Sequence, residues 1–428
     1  MTTTWPVDTP GRAGPFSFDA MKPSEQPSPA ASGPLAGLRV LDLTAVVLGP
    51  LATQILGDQG ADVIKVESLE GDLMRANGVS RHRGMSSIYL TINRNKRSLA
   101  LDLKRPEGVQ ALLRLAATAD VFIHNMRVPA IERLGLGYEA LRRVRPDIVY
   151  CVATGYQEGG AFAGKPVFDD IVQSGCGLVD LNLRDGAQPR YMPTLVADKA
   201  AGLMVAQAVT AALLHRARNG QGQYVEVPMF EAMTAFTLVE HQGGQAFEPA
   251  TAEPGYARVL GGGRRPLAVR DGHMTVLPYS PAHWQALFER TGQAALLQKY
   301  GPMDRSQLNA RVRELYADLA AVVADMDCAT CLALCEELDI PATRIYALDE
   351  LREHPQLASV GLFEIHEHPT EGPTVQVRPP VRFGSTPARI ARLAPTLGEH
   401  SAEVLREAGL TAEEIESLAA TGAVKQAV

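Results

Sequence analysis

The chain has 428 residues, 46% of them hydrophobic and 21% charged, with a formal net charge of −7. That length supplies core for two or three domains. The acidic balance argues against nucleic acid or an acidic membrane surface as the main partner, and leaves room for an anionic small molecule in a locally basic pocket.

Residues 1–34 hold seven prolines, scattered Ser and Gly, and no apolar period. They read as a disordered or loosely attached extension. They lack the basic start and apolar run of a secretory signal. From Leu38 onward, apolar runs alternate with amphipathic stretches. "LRVLDLT" (38–44), "ADVIKVE" (61–67), "RSLALDL" (97–103), "DVFIHNM" (120–126) and "DIVYCVATGY" (147–156) read as strands. "GPLATQILGDQG" (49–60), "RPEGVQALLRLAATA" (105–119) and "YEALRRVRP" (138–146) read as the helices between them. Strands alternating with helices imply a parallel sheet, and their unbroken apolar character implies cover on both faces. This is an α/β, Rossmann-like domain.

A long Ala-rich helix is expected over 199–218, then a strand and helix in "QYVEVPMFEAM" (223–233). The Gly- and Pro-rich stretch 243–266 is the best linker. Beyond it, "LAVRDGHMTVL" (267–277) reads as a hairpin, followed by helices to about Leu338 and the segment "PATRIYAL" (341–348). That is a smaller α+β unit. Residues 401–422 read as two short helices. No apolar run reaches the roughly 18 residues of a membrane span, the longest (202–214) being broken by Gln207 and Thr210. Five cysteines in a chain this large suit a reducing compartment, and the expected location is cytoplasmic.

No GxxxxGK[ST] loop, GxGxxG turn or HExxH helix is present, so a kinase, nicotinamide or zinc-protease reading has no support. Cys328, Cys331 and Cys335 fall on one helical face. They lack an evident fourth ligand, so they read as buried small residues and no metal is expected. His124 lies within an apolar strand and reads as an interior residue. Ligands of open α/β sheets bind beyond the carboxyl ends of the strands, which points to Val47, Lys104, Asn125 and Asp169. Lys104 and Arg133 are candidates for a cationic clamp on phosphates. Asp198 precedes the long helix. As an N-cap it would accept from the amides of Ala200 or Ala201, which would lower its pKa. An ionised carboxylate in an apolar setting also suits a nucleophile, and cap and catalyst are compatible.

Several segments together, "PLAGLRVLDLT", "GADVIKVE", "NKRSLALDLKRPEG", "ERLGLGYEAL", "NGQGQYVEVPMFEAM" and "ELDIPATRIYALDEL", resemble the class III CoA-transferases. That superfamily also holds the 2-methylacyl-CoA racemases. The likeness runs from about Leu35 to the C-terminus. It implies that Asp198 is the nucleophile, with Phe168 and Asp169, 29 residues before it, as the aromatic–acid pair. It implies CoA contacts from Lys104, Asn125 and Arg133, and a lid from Gly261, Gly262 and Gly263. Val47 stands where the oxalate-using enzymes carry glutamine, which hints at a less polar acid. Racemases carry histidine where this chain has Phe168, and phenylalanine moves no proton.

The implied function is CoA transfer from an acyl-CoA donor to a free carboxylic acid, through aspartyl anhydride and aspartyl-CoA thioester intermediates. No permanently bound cofactor is needed. The alternatives are an acyl-CoA racemase or epimerase and a non-catalytic CoA-binding protein. The implied architecture is an interlocked homodimer. Each chain divides into the extension (1–34), a large CoA-binding domain (35–240), a linker with the glycine loop (241–266), a small α+β domain (267–365) and a C-terminal return to the large domain (366–428).

Overall fold

The computed structural model describes residues 32–260 and 265–426. Most of the expected extension, and Gly261, Gly262 and Gly263, lie outside the described residues.

The first part of the chain alternates strands and helices: β1 (Arg39–Leu43), α1 (Leu48–Asp58), β2 (Asp62–Glu67), α2 (Ser87–Ile92), β3 (Lys96–Leu101), α3 (Pro106–Ala116), β4 (Val121–His124), α4 (Val128–Arg133), α5 (Tyr138–Val144) and β5 (Val149–Thr154). It continues through α6 (Asp169–Gly175), α7 (Leu178–Arg184), α8 (Val196–Asn219), β6 (Tyr224–Pro228) and α9 (Met229–His241). β1 to β6 are parallel neighbours in one sheet, in the order β3-β2-β1-β4-β5-β6. Side chains alternate between its two faces, as strand geometry requires. Val40, Val121, Ile123 and Val149 meet α1, α8 and α9, while Leu41, Phe122 and Tyr150 meet α3 and α5 on the other side. α8 is the one described helix long and apolar enough to cross a membrane. Here its Ala197, Ala201, Val205 and Val209 are buried in the core beneath the sheet.

After an irregular stretch come β7 (Leu267–Val269), β8 (Gly272–Val276), α10 (Pro281–Arg290), α11 (Ala294–Tyr300), α12 (Arg305–Ala310), α13 (Val312–Val323), α14 (Cys328–Glu337) and β9 (Ala342–Arg344). The three strands form an antiparallel sheet. It shares a separate core with Trp284, Phe288 and Leu319. Cys331 and Cys335 are buried in that core on α14, capped at its start by Asp327. Among the described residues no cluster of His, Cys, Asp or Glu could hold a metal ion.

The last part holds α15 (Pro355–Ser359), the antiparallel pair β10 (Phe363–His368) and β11 (Gly372–Val377), α16 (Ser401–Glu407), α17 (Ala412–Ala420) and β12 (Val424–Lys425). The β10–β11 pair has no counterpart in the sequence reading, and the expected boundary at 365/366 falls inside β10. The chain then runs back over the large sheet. Asn95 holds the backbone of Ala391 and Arg392, and Arg75 and Tyr89 donate to the Pro395 carbonyl. β12 pairs antiparallel with β3 at the sheet's edge, with Val424 opposite Leu101.

Candidate active site

The order of the large sheet reverses at β1. The chain leaves β1 toward β2 on one side, then returns from β3 to β4 on the other. In open parallel sheets such a reversal opens a crevice beyond the carboxyl ends of the strands. Asn125, just past β4, spans this crevice: its Oδ1 accepts from the Ala45 N–H at 3.0 Å and its Nδ2 donates to the Ala45 carbonyl at 2.8 Å. Ala45 lies on the short turn leading from β1 into α1. The Asn125 amide therefore braces that turn.

Asp198 faces the same turn. α8 begins at Val196, with Leu195 in the capping position and no side-chain cap. Asp198 is thus the third residue of the helix, and the expected N-cap bonds to Ala200 or Ala201 are not made. The helix starts earlier than the Ala-rich run suggests, because its first turn is satisfied from another element. The Asp198 N–H, one of the orphan donors of a helix start, donates to Asp169 Oδ2 at 3.0 Å. Asp169 is buried at the start of α6. Its other oxygen accepts from Gln173 Nε2 at 2.5 Å, and Gln173 Oε1 accepts from the Met192 N–H at 2.8 Å. Gln173 lies one helical turn past Asp169, a spacing that the sequence displays but that carries no signal without the Met192 segment.

The carboxyl group of Asp198 is half-buried between Asp169 and the N-terminus of α1. Burial, then the Asp169 charge, raise it from the ordinary 3.8 to about 6, while the Leu48 backbone N–H favours the ionised form. The sequence reading expected a lowered pKa. The correction has a plain cause: the two capping amides are absent, and desolvation with a like charge outweighs the single amide from Leu48. α1 and α8 come close enough for this because of Gly202, one turn past Asp198. A Cβ there would stand 2.7 Å from the Leu48 carbonyl oxygen.

The remaining candidates are distributed around the crevice. Val47 precedes α1, but its side chain is buried against Met74, Met85, Tyr89 and Ile92. Its methyls belong to this apolar cluster beside the turn. Phe168 caps α6 and is 66% exposed, so it presents its ring to whatever enters beside Asp169. Lys104 is exposed three residues past β3, and Arg133 is exposed at the end of α4. β3 and β4 are separated by β2 and β1, which puts about 14 Å between their axes. Lys104 and Arg133 therefore follow strands that lie on opposite sides of the reversal. His124 is buried, meets the Tyr150 hydroxyl at 2.8 Å, and is held by burial at a pKa of about 4.

Residues 35–401 match the model of CoA-transferase family III. The chain is 31% identical over 402 residues to a succinate–glutarate CoA-transferase of Agrobacterium fabrum, covering 89% of this chain and 96% of that one. It is 31% identical over 391 residues to a probable fatty acyl-CoA transferase of Mycobacterium tuberculosis, covering 89% and 99%. A crystal structure of that mycobacterial protein superimposes with a TM-score of 0.75 at 30% identity, covering 87% of this chain and 99% of the other. A CAIB/BAIF family protein from Brucella suis superimposes with a TM-score of 0.76 at 28% identity, covering 88% and 100%.

Proposed function

The chain belongs to CoA-transferase family III, and on that premise we propose that Asp198 is the carboxylate nucleophile that carries CoA between two acids. The observation that carries this reading is the setting of Asp198, held between the Asp169 carboxylate and the Leu48 amide with its carboxyl raised to about 6. Such a group is about nine-tenths ionised at pH 7 and more basic, hence more nucleophilic, than a free carboxylate.

The Asp198 carboxylate attacks the thioester carbonyl of the donor. The C–S bond breaks, CoA leaves as the thiolate, and an aspartyl–acyl anhydride remains. The thiolate attacks the aspartyl carbonyl, which releases the donor acid and leaves an aspartyl-CoA thioester. The acceptor carboxylate attacks that thioester and frees the thiolate again. The thiolate then attacks the acceptor's carbonyl in the second anhydride, yielding the new acyl-CoA and restoring Asp198. Each step exchanges one activated acyl bond for another, so the free-energy change stays small. The Leu48 N–H, at the positive end of α1, is placed to favour negative charge on the reacting carboxyl. Asp169 fixes the Asp198 backbone and raises its basicity. Lys104 and Arg133 offer cationic contacts for the CoA phosphates on either side of the crevice, with Asn125 between them. Phe168 carries no titratable proton, which disfavours the racemase reading. The curated relatives named for succinate and glutarate make succinyl-CoA the first donor to test.

The same reading takes the protein as a cytoplasmic homodimer. All five cysteines are free. Apolar side chains stand exposed on α8 and α9 at Leu203, Leu214, Phe236 and Val239, a surface suited to burial against a second copy.

The test is intact-protein mass spectrometry after incubation with succinyl-CoA, then with a panel of acyl-CoAs, with hydroxylamine or borohydride trapping. The expected result is a labile adduct on Asp198 that Asp198→Asn does not form. CoA binding without an adduct from any thioester would refute the nucleophile role.

A further inference from the structure

The backbone groups of the turn between β1 and α1 must find partners, as buried backbone groups do. Here they go to side chains from four places in the fold. The Thr44 N–H donates to Asp42 Oδ1 at 2.9 Å, and the Thr44 carbonyl accepts from Lys65 Nζ at 3.0 Å. Asn125 takes both the N–H and the carbonyl of Ala45. The Val46 N–H donates to Asp72 Oδ1 at 3.2 Å. Lys65 and Asp72 are themselves joined at 2.9 Å, with side chains 0% and 1% exposed.

The last residue of this bonded run is strained. Val46 has φ of 72°, a left-handed conformation that a β-branched residue rarely adopts. Such a conformation persists only where its surroundings over-determine it. Two residues on, Leu48 opens α1, and its backbone packs against Gly202, one helical turn past Asp198. If Val46 relaxed, the start of α1 would turn and carry with it the Leu48 N–H, which favours the ionised form of Asp198.

We propose that Lys65 and Asp72 are positioning residues for CoA transfer, a buried ion pair that holds Val46 in its strained conformation and so fixes the start of α1 beside Asp198. Neither residue reaches substrate. Lys65 fixes the carbonyl of Thr44 and orients Asp72, and Asp72 holds the amide of Val46. This rests on the reading of Asp198 as the nucleophile.

The test compares Lys65→Met/Asp72→Ala with Lys65→Met/Asp72→Asn. Both lose the ion pair, and neither leaves a buried charge unpaired. Only the second keeps an oxygen to accept from the Val46 N–H. The assay is steady-state CoA transfer from succinyl-CoA, or from the donor that the adduct screen identifies, across pH 5 to 9. The alanine pair should lose about 10- to 100-fold in kcat, as expected for a small misplacement of reacting groups. Its KM for the acyl-CoA should stay within about twofold, since uniform binding is untouched. The acid limb of its pH profile should move to higher pH, because the amide that favours the carboxylate has withdrawn while Asp169 remains. The asparagine pair should recover most of the kcat and the limb. Equal behaviour of the two pairs, or an alanine pair with wild-type kcat and limb, would overturn the proposal. If the alanine pair does not fold, Val46→Gly is added to it: glycine adopts the left-handed conformation without steric cost, so the turn should hold without the pair, with kcat and the limb close to wild type, and a triple variant that stays slow with a raised limb would overturn the proposal. An Asp198→Asn enzyme that still transfers CoA would sink the nucleophile reading instead, whatever the pairs do.

Discussion

Replacing Asp198 by asparagine should make the protein more stable above pH 6 while ending CoA transfer. The carboxyl lies at about 6 in the folded chain against 3.8 for the ordinary group. Below pH 3.8 it is protonated in both the folded and the unfolded chain and contributes no difference. Between 3.8 and 6 the unfolded chain ionises while the folded chain keeps its proton, so the folded state loses ground as pH rises. Above 6 both are ionised and the loss is complete. Linkage puts it at about 3 kcal/mol, an upper bound because the side chain is only half-buried and solvent screens it. Asparagine carries no charge to desolvate. Its amide oxygen accepts from Leu48 and its NH2 can donate to Asp169, so repulsion becomes attraction. The assay is thermal unfolding of wild type and Asp198→Asn from pH 3.5 to 8. The two melting temperatures should nearly coincide at pH 3.5 and separate through pH 6, the variant being up to about 3 °C higher at pH 8. A difference that does not change with pH, or a variant that melts below wild type at pH 8, would refute the argument that Asp198 is held at an energetic disadvantage.

The kcat/KM for CoA transfer should rise with pH through an apparent pKa near 6. Asp169→Asn, which removes the neighbouring negative charge but keeps an oxygen for the Asp198 N–H, should move that limb to lower pH in a pH–rate profile. Gly202→Ala would place a Cβ 2.7 Å from the Leu48 carbonyl oxygen. It should destabilise by about 1–3 kcal/mol through overpacking, read by denaturant unfolding, and should lower kcat more than it changes KM. Phe236→Glu with Val239→Glu places charge on the exposed apolar face of α9. Size-exclusion chromatography with light scattering should show weaker self-association than wild type, and an unchanged mass would take this face out of the interface.

The parallel sheet was legible because its central strands are buried on both faces, so "LRVLDL" and "DIVYCVAT" read as unbroken apolar runs. β10 was missed for the converse reason. In "FEIHEH" only His368 is fully buried, and the alternating acids and histidines gave no apolar run to find. That Asp198 stands near the start of a long helix was legible in the sequence, but its place inside the first turn and its electrostatics were not. They depend on Asp169 and Leu48, which reach it through the crossing of α1, α6 and α8. The buried charges were equally opaque. Lys65 and Lys96 sit in strands where a lysine reads as solvated, yet both are fully buried. Lys96 meets Asp42 through the register of β1, β2 and β3, and Lys65 meets Asp72 because the chain folds back after β2.

The pairing of β12 with β3 has a consequence for biosynthesis. A chain emerging from the ribosome in order makes β3 early and β12 only after the three-stranded sheet and its helices. Until Val424 and Lys425 arrive, one side of β3 presents open N–H and C=O groups to solvent, the kind of edge that templates association. Leu101 and Lys96 are meanwhile part of a sheet whose other members are complete. The contact that closes this edge joins residues far apart in the chain, a non-local and therefore slow kind to form. The nascent protein thus passes through a long interval with a nearly finished sheet and one unprotected margin, when a chaperone or a second nascent chain has most to bind.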